Sequence, residues 1–266
     1  MNKTTWAAFG AACDRYRDYV ETLRREFPRL KKLQQQLVDS RSGPPYTVES
    51  PLVYNLALDE VGPKDGIKLI LVADNPGRRE QATGRYLVGP SGKIAEGFFR
   101  NKPGLGIDLR KNVIILNKTP VHTPRTAELA ELCRLGGPKF AEKLISTQRF
   151  MAAMLLEFHA ALSGGGPAGS STRCKPIPVW ITGYSEMKRG GIFQPYTEAL
   201  QEMYARDDTT HRPTAASKLR DSVLLFRHFS MNQFTVDLRK QSLPGEDTQA
   251  ALDRIGRAHR QRILGW

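Results

Sequence analysis

The sequence predicts an α/β fold: a three-layer α/β/α sandwich around a central, mostly parallel sheet of four strands, preceded by a helical extension. Two observations carry that expectation. Four short apolar runs rich in branched residues, at 69–72, 113–116, 179–181 and 223–226, have the length and composition of buried strands. Stretches with helical spacing at 91–101, 127–135, 138–161 and 194–206 alternate with them. Strands that alternate with helices are joined by crossovers, and crossovers make a parallel sheet.

Taken in chain order, residues 5–38 place Trp6, Phe9, Ala12, Tyr16, Tyr19, Val20, Leu23 and Phe27 at three- and four-residue steps among charges, which predicts amphipathic helix. Pro28 breaks or restarts it. The polar tract at 39–45, with Gly43, Pro44 and Pro45, reads as a linker. The division that follows is an extension at 1–50, an α/β domain at 51–245, and a C-terminal helix at 246–266 that packs on the core. That last helix is read from Ala251, Leu252, Ile255, Ala258 and Ile263. Polar connections at 163–172 and 207–217 join elements of the α/β domain, and there is no internal repeat.

Of the 266 residues, 40% are apolar and 25% charged, which excludes collagen, coiled coil and wholesale disorder. No apolar run approaches the 18 or so residues of a membrane span, and the longest, at 67–73, is interrupted by Lys68. The first ten residues lack the apolar region of a signal peptide, so the expected location is the cytoplasm. Cys13, Cys133 and Cys174 are scattered and odd in number, which fits free thiols better than a disulfide framework or a metal site. Lys and Arg number 40 against 27 Asp and Glu, a formal charge of +13. Such a balance suits a polyanion, because each cation that meets a phosphate releases condensed counterions. DNA or RNA is the leading partner and an anionic membrane surface the second, while charge alone also serves solubility.

In open parallel sheets ligands bind outside the carboxyl ends of the strands. The four runs lead into Asp74-Asn75-Pro76-Gly77, Asn117, Thr182-Gly183 and, after Arg227, His228-Phe229-Ser230. Directed hydrogen-bonding side chains thus gather where a site belongs. Competing motifs fail. A phosphate loop around Gly89-Pro90-Ser91-Gly92-Lys93 would need glycine at 87 and Ser or Thr at 94, where Leu87 and Ile94 stand. A nucleophile elbow at Gly183-Tyr184-Ser185-Glu186-Met187 lacks its last glycine. His122, His159, His211 and His259 form no close ligand pair, so no metal is expected.

The segment from Ala73 to Gly92, ADNPGRREQATGRYLVGPSG, resembles the first motif of the uracil-DNA glycosylase superfamily. In the spacing of Pro76-Gly77, Glu80, Gly84, Val88-Gly89 and Gly92 it is similar to the iron–sulfur branch. Asn75-Pro76-Gly77 resembles the mismatch-specific and single-strand-selective branches. Asn117 ends a strand as the family's base-reading Asn does, and His228-Phe229-Ser230 resembles its His-Pro-Ser motif. The likeness covers 67–235 and leaves out the first 50 residues. It implies a monofunctional DNA glycosylase, which flips a nucleotide out of the duplex and hydrolyses its N-glycosidic bond.

By that resemblance Asn75 positions the attacking water, His228 donates a hydrogen bond to the leaving base, and Asp74 is the alternative base or electrostatic partner. Asn117 reads the pyrimidine edge, with Gly77, Tyr86 and Leu87 around the base. Gly89, Ser91, Lys93 and Ser230 meet DNA, helped by Arg78, Arg79 and Arg85, while Met231, and further on Phe234, would wedge into the vacated stack. Departures shape the expectation. Leu87 stands where the family usually has a stacking aromatic, Gly77 opens the C5 edge, and Phe229 replaces a proline. The four cysteines of the iron–sulfur branch are absent, so neither cluster nor other cofactor is expected. The implied substrate is uracil or a modified, C5-substituted pyrimidine, in repair or in defence against foreign DNA. A catalytically silent DNA-binding relative is the rival from another class, and an unrelated α/β hydrolase ranks last.

Overall fold

The computed structural model describes residues 1–164, 176–205, 214 and 216–266. Most of the two expected polar connections, with Cys174 and His211, lies outside the described residues. Strands β1 (Leu69–Ala73), β2 (Val113–Asn117), β3 (Val179–Thr182) and β4 (Val223–Phe226) form one sheet in the order β2-β1-β3-β4, with every pairing parallel. All four are buried along their whole length, which is why their sequences are continuously apolar rather than alternating.

Side chains on a strand still alternate between faces, and that divides the core in two. Ile70, Val72, Ile114, Leu116, Val179, Ile181, Val223 and Leu225 pack with α1 (Lys3–Glu26), α2 (Leu30–Ser40), α5 (Glu128–Leu162) and α6 (Gln194–Met203). Leu69, Leu71, Ala73, Val113, Ile115, Trp180, Leu224 and Phe226 pack with α4 (Pro90–Arg100), α7 (Gln233–Gln241) and α8 (Thr248–Leu264). The result is the expected α/β/α sandwich. At Gly256 of α8 an added Cβ would lie 2.7 Å from Leu224 Cβ, so glycine there lets the helix approach β4 closely.

The long periodic stretch at the start resolves as α1 and α2, separated around Pro28. Both helices join the core under the first face: Phe9, Tyr16, Val20, Leu30 and Leu37 are buried in it. The stretches at 127–135 and 138–161 run on as α5 across a break at Gly137, whose φ of 75° only glycine adopts readily, just ahead of Pro138. Two short helices lie outside the periodic reading, α3 (Arg78–Thr83) and α7, both next to the site. No helix among the described residues is long and apolar enough to cross a membrane.

Candidate active site at the carboxyl ends of the strands

The chain leaves β1 for β2 on one side and returns past it to β3 on the other, so the order reverses between β1 and β3. Such a switch point opens a crevice beyond the carboxyl ends of the strands. A cavity of about 570 Å³ lies there, walled by Ala73, Asp74 and Asn75 after β1, by 123–126 after β2, and by His228, Ser230 and Met231 after β4.

Its floor is built around Asp74. The parallel register pairs Ala73 with Asn117, so the residues that follow, Asp74 and Lys118, come side by side. Lys118 is 0% exposed; its Nζ donates to Asp74 Oδ1 at 2.5 Å and to the Thr182 carbonyl, and lies 5.0 Å from the centre of the Phe193 ring. Burial pushes the ammonium below the usual lysine range, and the Asp74 carboxylate opposes that shift. Gly183, at φ 78°, makes room for the carboxylate: a Cβ there would sit 2.2 Å from Asp74 Oδ1. Among the described residues Asp74 Oδ2 receives only a long bond from Thr126 Oγ1, 3.4 Å, and so keeps acceptor capacity.

Asn75 is engaged by its own surroundings. Its Nδ2 donates to Thr123 Oγ1 at 2.9 Å and Thr123 O at 3.1 Å, and its Oδ1 accepts from Thr126 Oγ1 at 3.0 Å. His122 reinforces the same turn, hydrogen-bonding Pro76 O through Nδ1 at 2.8 Å and Tyr46 through Nε2 at 2.8 Å. Since a carbonyl only accepts, His122 carries its proton on Nδ1 and takes the tyrosine hydroxyl on Nε2.

His228 has the opposite tautomer. The Ser230 backbone N–H donates to its Nδ1 at 3.1 Å, so the neutral ring carries its proton on Nε2. Burial pushes this histidine below its usual range, Asp74 opposes, and Lys118 adds to the depression. The ring is therefore an uncharged donor at neutral pH.

The wall formed by 77–92 is braced from both sides. Glu80 accepts from the backbone N–H of Gly77 at 2.6 Å and of Leu87 at 2.7 Å. Burial raises its pKa, and those backbone bonds oppose the rise. Arg110 holds the carbonyls of Tyr86 at 3.2 Å and Leu87 at 2.5 Å. Leu87 takes a left-handed φ of 52° and is 3% exposed, and at Gly92 a Cβ would lie 1.5 Å from Leu87 O. Leu87 reaches the cavity, whereas Tyr86 does not. Its buried hydroxyl donates to Val53 O at 2.5 Å and bonds the Tyr16 hydroxyl at 2.5 Å, which anchors the wall to α1. The expectation that Tyr86 borders the base is corrected accordingly. Gly77 does border the cavity, and a Cβ there would meet nothing nearer than Glu80 Oε2 at 3.8 Å.

At the lip, Met231 is 81% exposed, and it and Asn232 hold left-handed φ angles of 49° and 57°. Phe234 is buried against Phe229, ring centroids 4.3 Å apart, so the packed aromatic pair anchors the lip and Met231 alone remains free to act as a wedge. Gly89 and Ser91 border the cavity at the start of α4, where no side chain among the described residues caps the helix, and a helix N-terminus favours an anion. Arg41, Arg78, Arg79 and Arg125 form a cationic rim. Lys93 and Arg85 lie elsewhere, with Tyr86, around a second depression of about 710 Å³, and Arg85 pairs with Glu60.

Asn117 is 1% exposed and not part of the cavity wall; its Nδ2 has no hydrogen-bond partner among the described residues. It lies on the apolar α4 side of the sheet, next to Ala73. A buried amide without a partner is uncommon and calls for an explanation. Lys118, Thr123, Thr126, Arg41 and Arg125 were missed from the sequence. Lys118 had a usable signal, since aligning the first two apolar runs as parallel strands sets it beside Asp74.

No protein-family model and no curated protein matches the chain.

Proposed function

We propose that this protein is a monofunctional DNA glycosylase of the uracil-DNA glycosylase superfamily, acting in the cytoplasm, that flips out uracil or a modified pyrimidine and hydrolyses its N-glycosidic bond, leaving an abasic site. The observation that carries the reading is the meeting in one cavity of the Asp74–Asn75 pair with a neutral, Nε2-protonated His228. The arginine rim suits phosphates, and the exposed Met231 suits a wedge.

In this reading a water oxygen bonds to C1′ of the deoxyribose as the C1′–N bond breaks. The bonding pair leaves with the base, whose developing negative charge the His228 Nε2–H stabilises. The water's proton passes to Asp74, which also balances the positive charge on the sugar. The sequence puts Asn75 ahead of Asp74 for holding the water; the bonds of Asn75 to Thr123 and Thr126 favour the reverse order, with Asn75 fixing the turn. The open space beside Gly77 suits a C5-substituted base, and with it a role against modified foreign DNA as well as in repair.

The test is a set of oligomers carrying uracil, mismatched thymine, hypoxanthine, 5-hydroxymethyluracil, or 5-hydroxymethylcytosine with and without glucose, scored for abasic sites by alkali cleavage. Asp74→Asn and His228→Ala are expected to lose about 10²–10⁴ in turnover while still binding DNA, and Asn75→Ala to lose less. DNA binding with no abasic product from any oligomer would replace this reading with the silent-binder one.

A further inference from the structure

We propose that Lys118 is the positioning residue of the site: by holding Asp74 Oδ1 and the Thr182 carbonyl together it fixes the carboxylate at the switch point as an anion, with Oδ2 left for the reaction. The inference rests on the reading of this cavity as a glycosylase site. It stands on the geometry of three strand ends. Lys118 follows β2, its partner Asp74 follows β1, and its second acceptor is the last residue of β3. The carboxylate fits only because residue 183 is glycine.

A fully buried ion pair is a poor device for stability alone, because the desolvation of two charges offsets most of their attraction. This pair instead contains one of the two groups the reaction needs, Asp74, and lies beside the other, His228. Asp74, Glu186 and His228 are the titratable groups facing Lys118, joined by the Thr182 carbonyl and the Phe193 ring. Asp74 thereby keeps a counter-charge that does not touch substrate, and His228 stays neutral beside a cation. With Lys118 gone, Asp74 Oδ1 would lose its donor and the carboxylate its fixed orientation.

Two experiments test this, and the first does not depend on activity. In the free protein, carboxyl ¹³C signals follow Asp74 and lysine ¹⁵N signals follow Lys118. In Lys118→Met the Asp74 carboxyl signal at neutral pH is expected to move from its wild-type position, because Oδ1 loses the ammonium that holds it. In the isosteric Asp74→Asn, which keeps the site's shape if the methionine variant does not fold, Lys118 is expected to lose its proton at a pH at least about one unit lower than in wild type. An unmoved Asp74 signal in the first variant or an unmoved lysine midpoint in the second overturns the proposal. The second experiment uses whichever oligomer is cleaved. Lys118→Met should lose at least about tenfold in kcat/KM, and Asp74→Asn/Lys118→Met should be no slower than Asp74→Asn alone. Additive losses would show Lys118 to be merely structural. If wild type cleaves no oligomer while both signals move as expected, the glycosylase reading falls and the coupled pair stands.

Discussion

Leu87 and Met231 border the same cavity in nearly the same left-handed backbone conformation, yet one is sealed into a braced wall and the other projects into solvent. Around Leu87 the chain is held by Glu80, by Arg110 and by the absent side chain of Gly92. Around Met231 the backbone bends sharply above the packed Phe229–Phe234 pair, and the residue itself is 81% exposed. Backbone strain of about 1–2 kcal/mol per residue is therefore offset by side-chain burial at the wall and not at the lip. Strain without internal compensation marks a place that works against a partner, and strain with it marks a place that must not move.

That contrast can be broken most forcefully at Gly92. Alanine there would force its Cβ into the Leu87 carbonyl, and a loss of more than about 3 kcal/mol in denaturant unfolding is expected, with the cavity disordered. Acid attacks two buried histidines, His122 at the turn after β1 and His159 at the opposite end of the sheet, against the residues just ahead of β3 and β4. Burial lowers both His122 and His159 to about 4 from 6.5. The folded state thus binds fewer protons than the unfolded chain between these values, and stability rises with pH across that window. It is fully present above pH 6.5 and falls by up to about 3 kcal/mol per histidine as the pH drops to 4. Unfolding followed from pH 7 to 4 should show the decline, and should show less of it in His159→Gln. The sharpest comparison replaces each left-handed residue by glycine. Leu87→Gly should lose about 2 kcal/mol, because the buried side chain outweighs the relieved strain. Met231→Gly should gain about 0.5 kcal/mol and lose cleavage of duplex while keeping cleavage of single strands. Equal signs for the two glycine variants would erase the distinction between wall and lip.

The sheet was legible because buried parallel strands must be continuously apolar, and all four runs became strands. The positions of Asp74, Asn75 and His228 followed from the rule that ligands gather past strand ends. Side-chain direction was not legible. Tyr86 and Leu87 are neighbours in the chain, and only the brace from Glu80 and Arg110 decides which of them reaches the cavity. Phe234 and Met231 are both apolar residues after His228, but a turn through Met231 and Asn232 sends one inward and leaves the other outside. Lys118 escaped attention because a lysine beside a strand end reads as solvated until register places a carboxylate against it. Arg41 escaped because it lies in what reads as a linker, far in sequence from the motif whose cavity it borders.

The bond between the hydroxyls of Tyr16 and Tyr86 has a consequence for how the molecule is assembled. Helix α1 finds partners at Val53, at Tyr86 and at Glu157, which are 37, 70 and 142 residues further along. Contacts of such span close late. The bracing of the cavity wall by α1 accordingly forms later than the contacts within and between neighbouring elements.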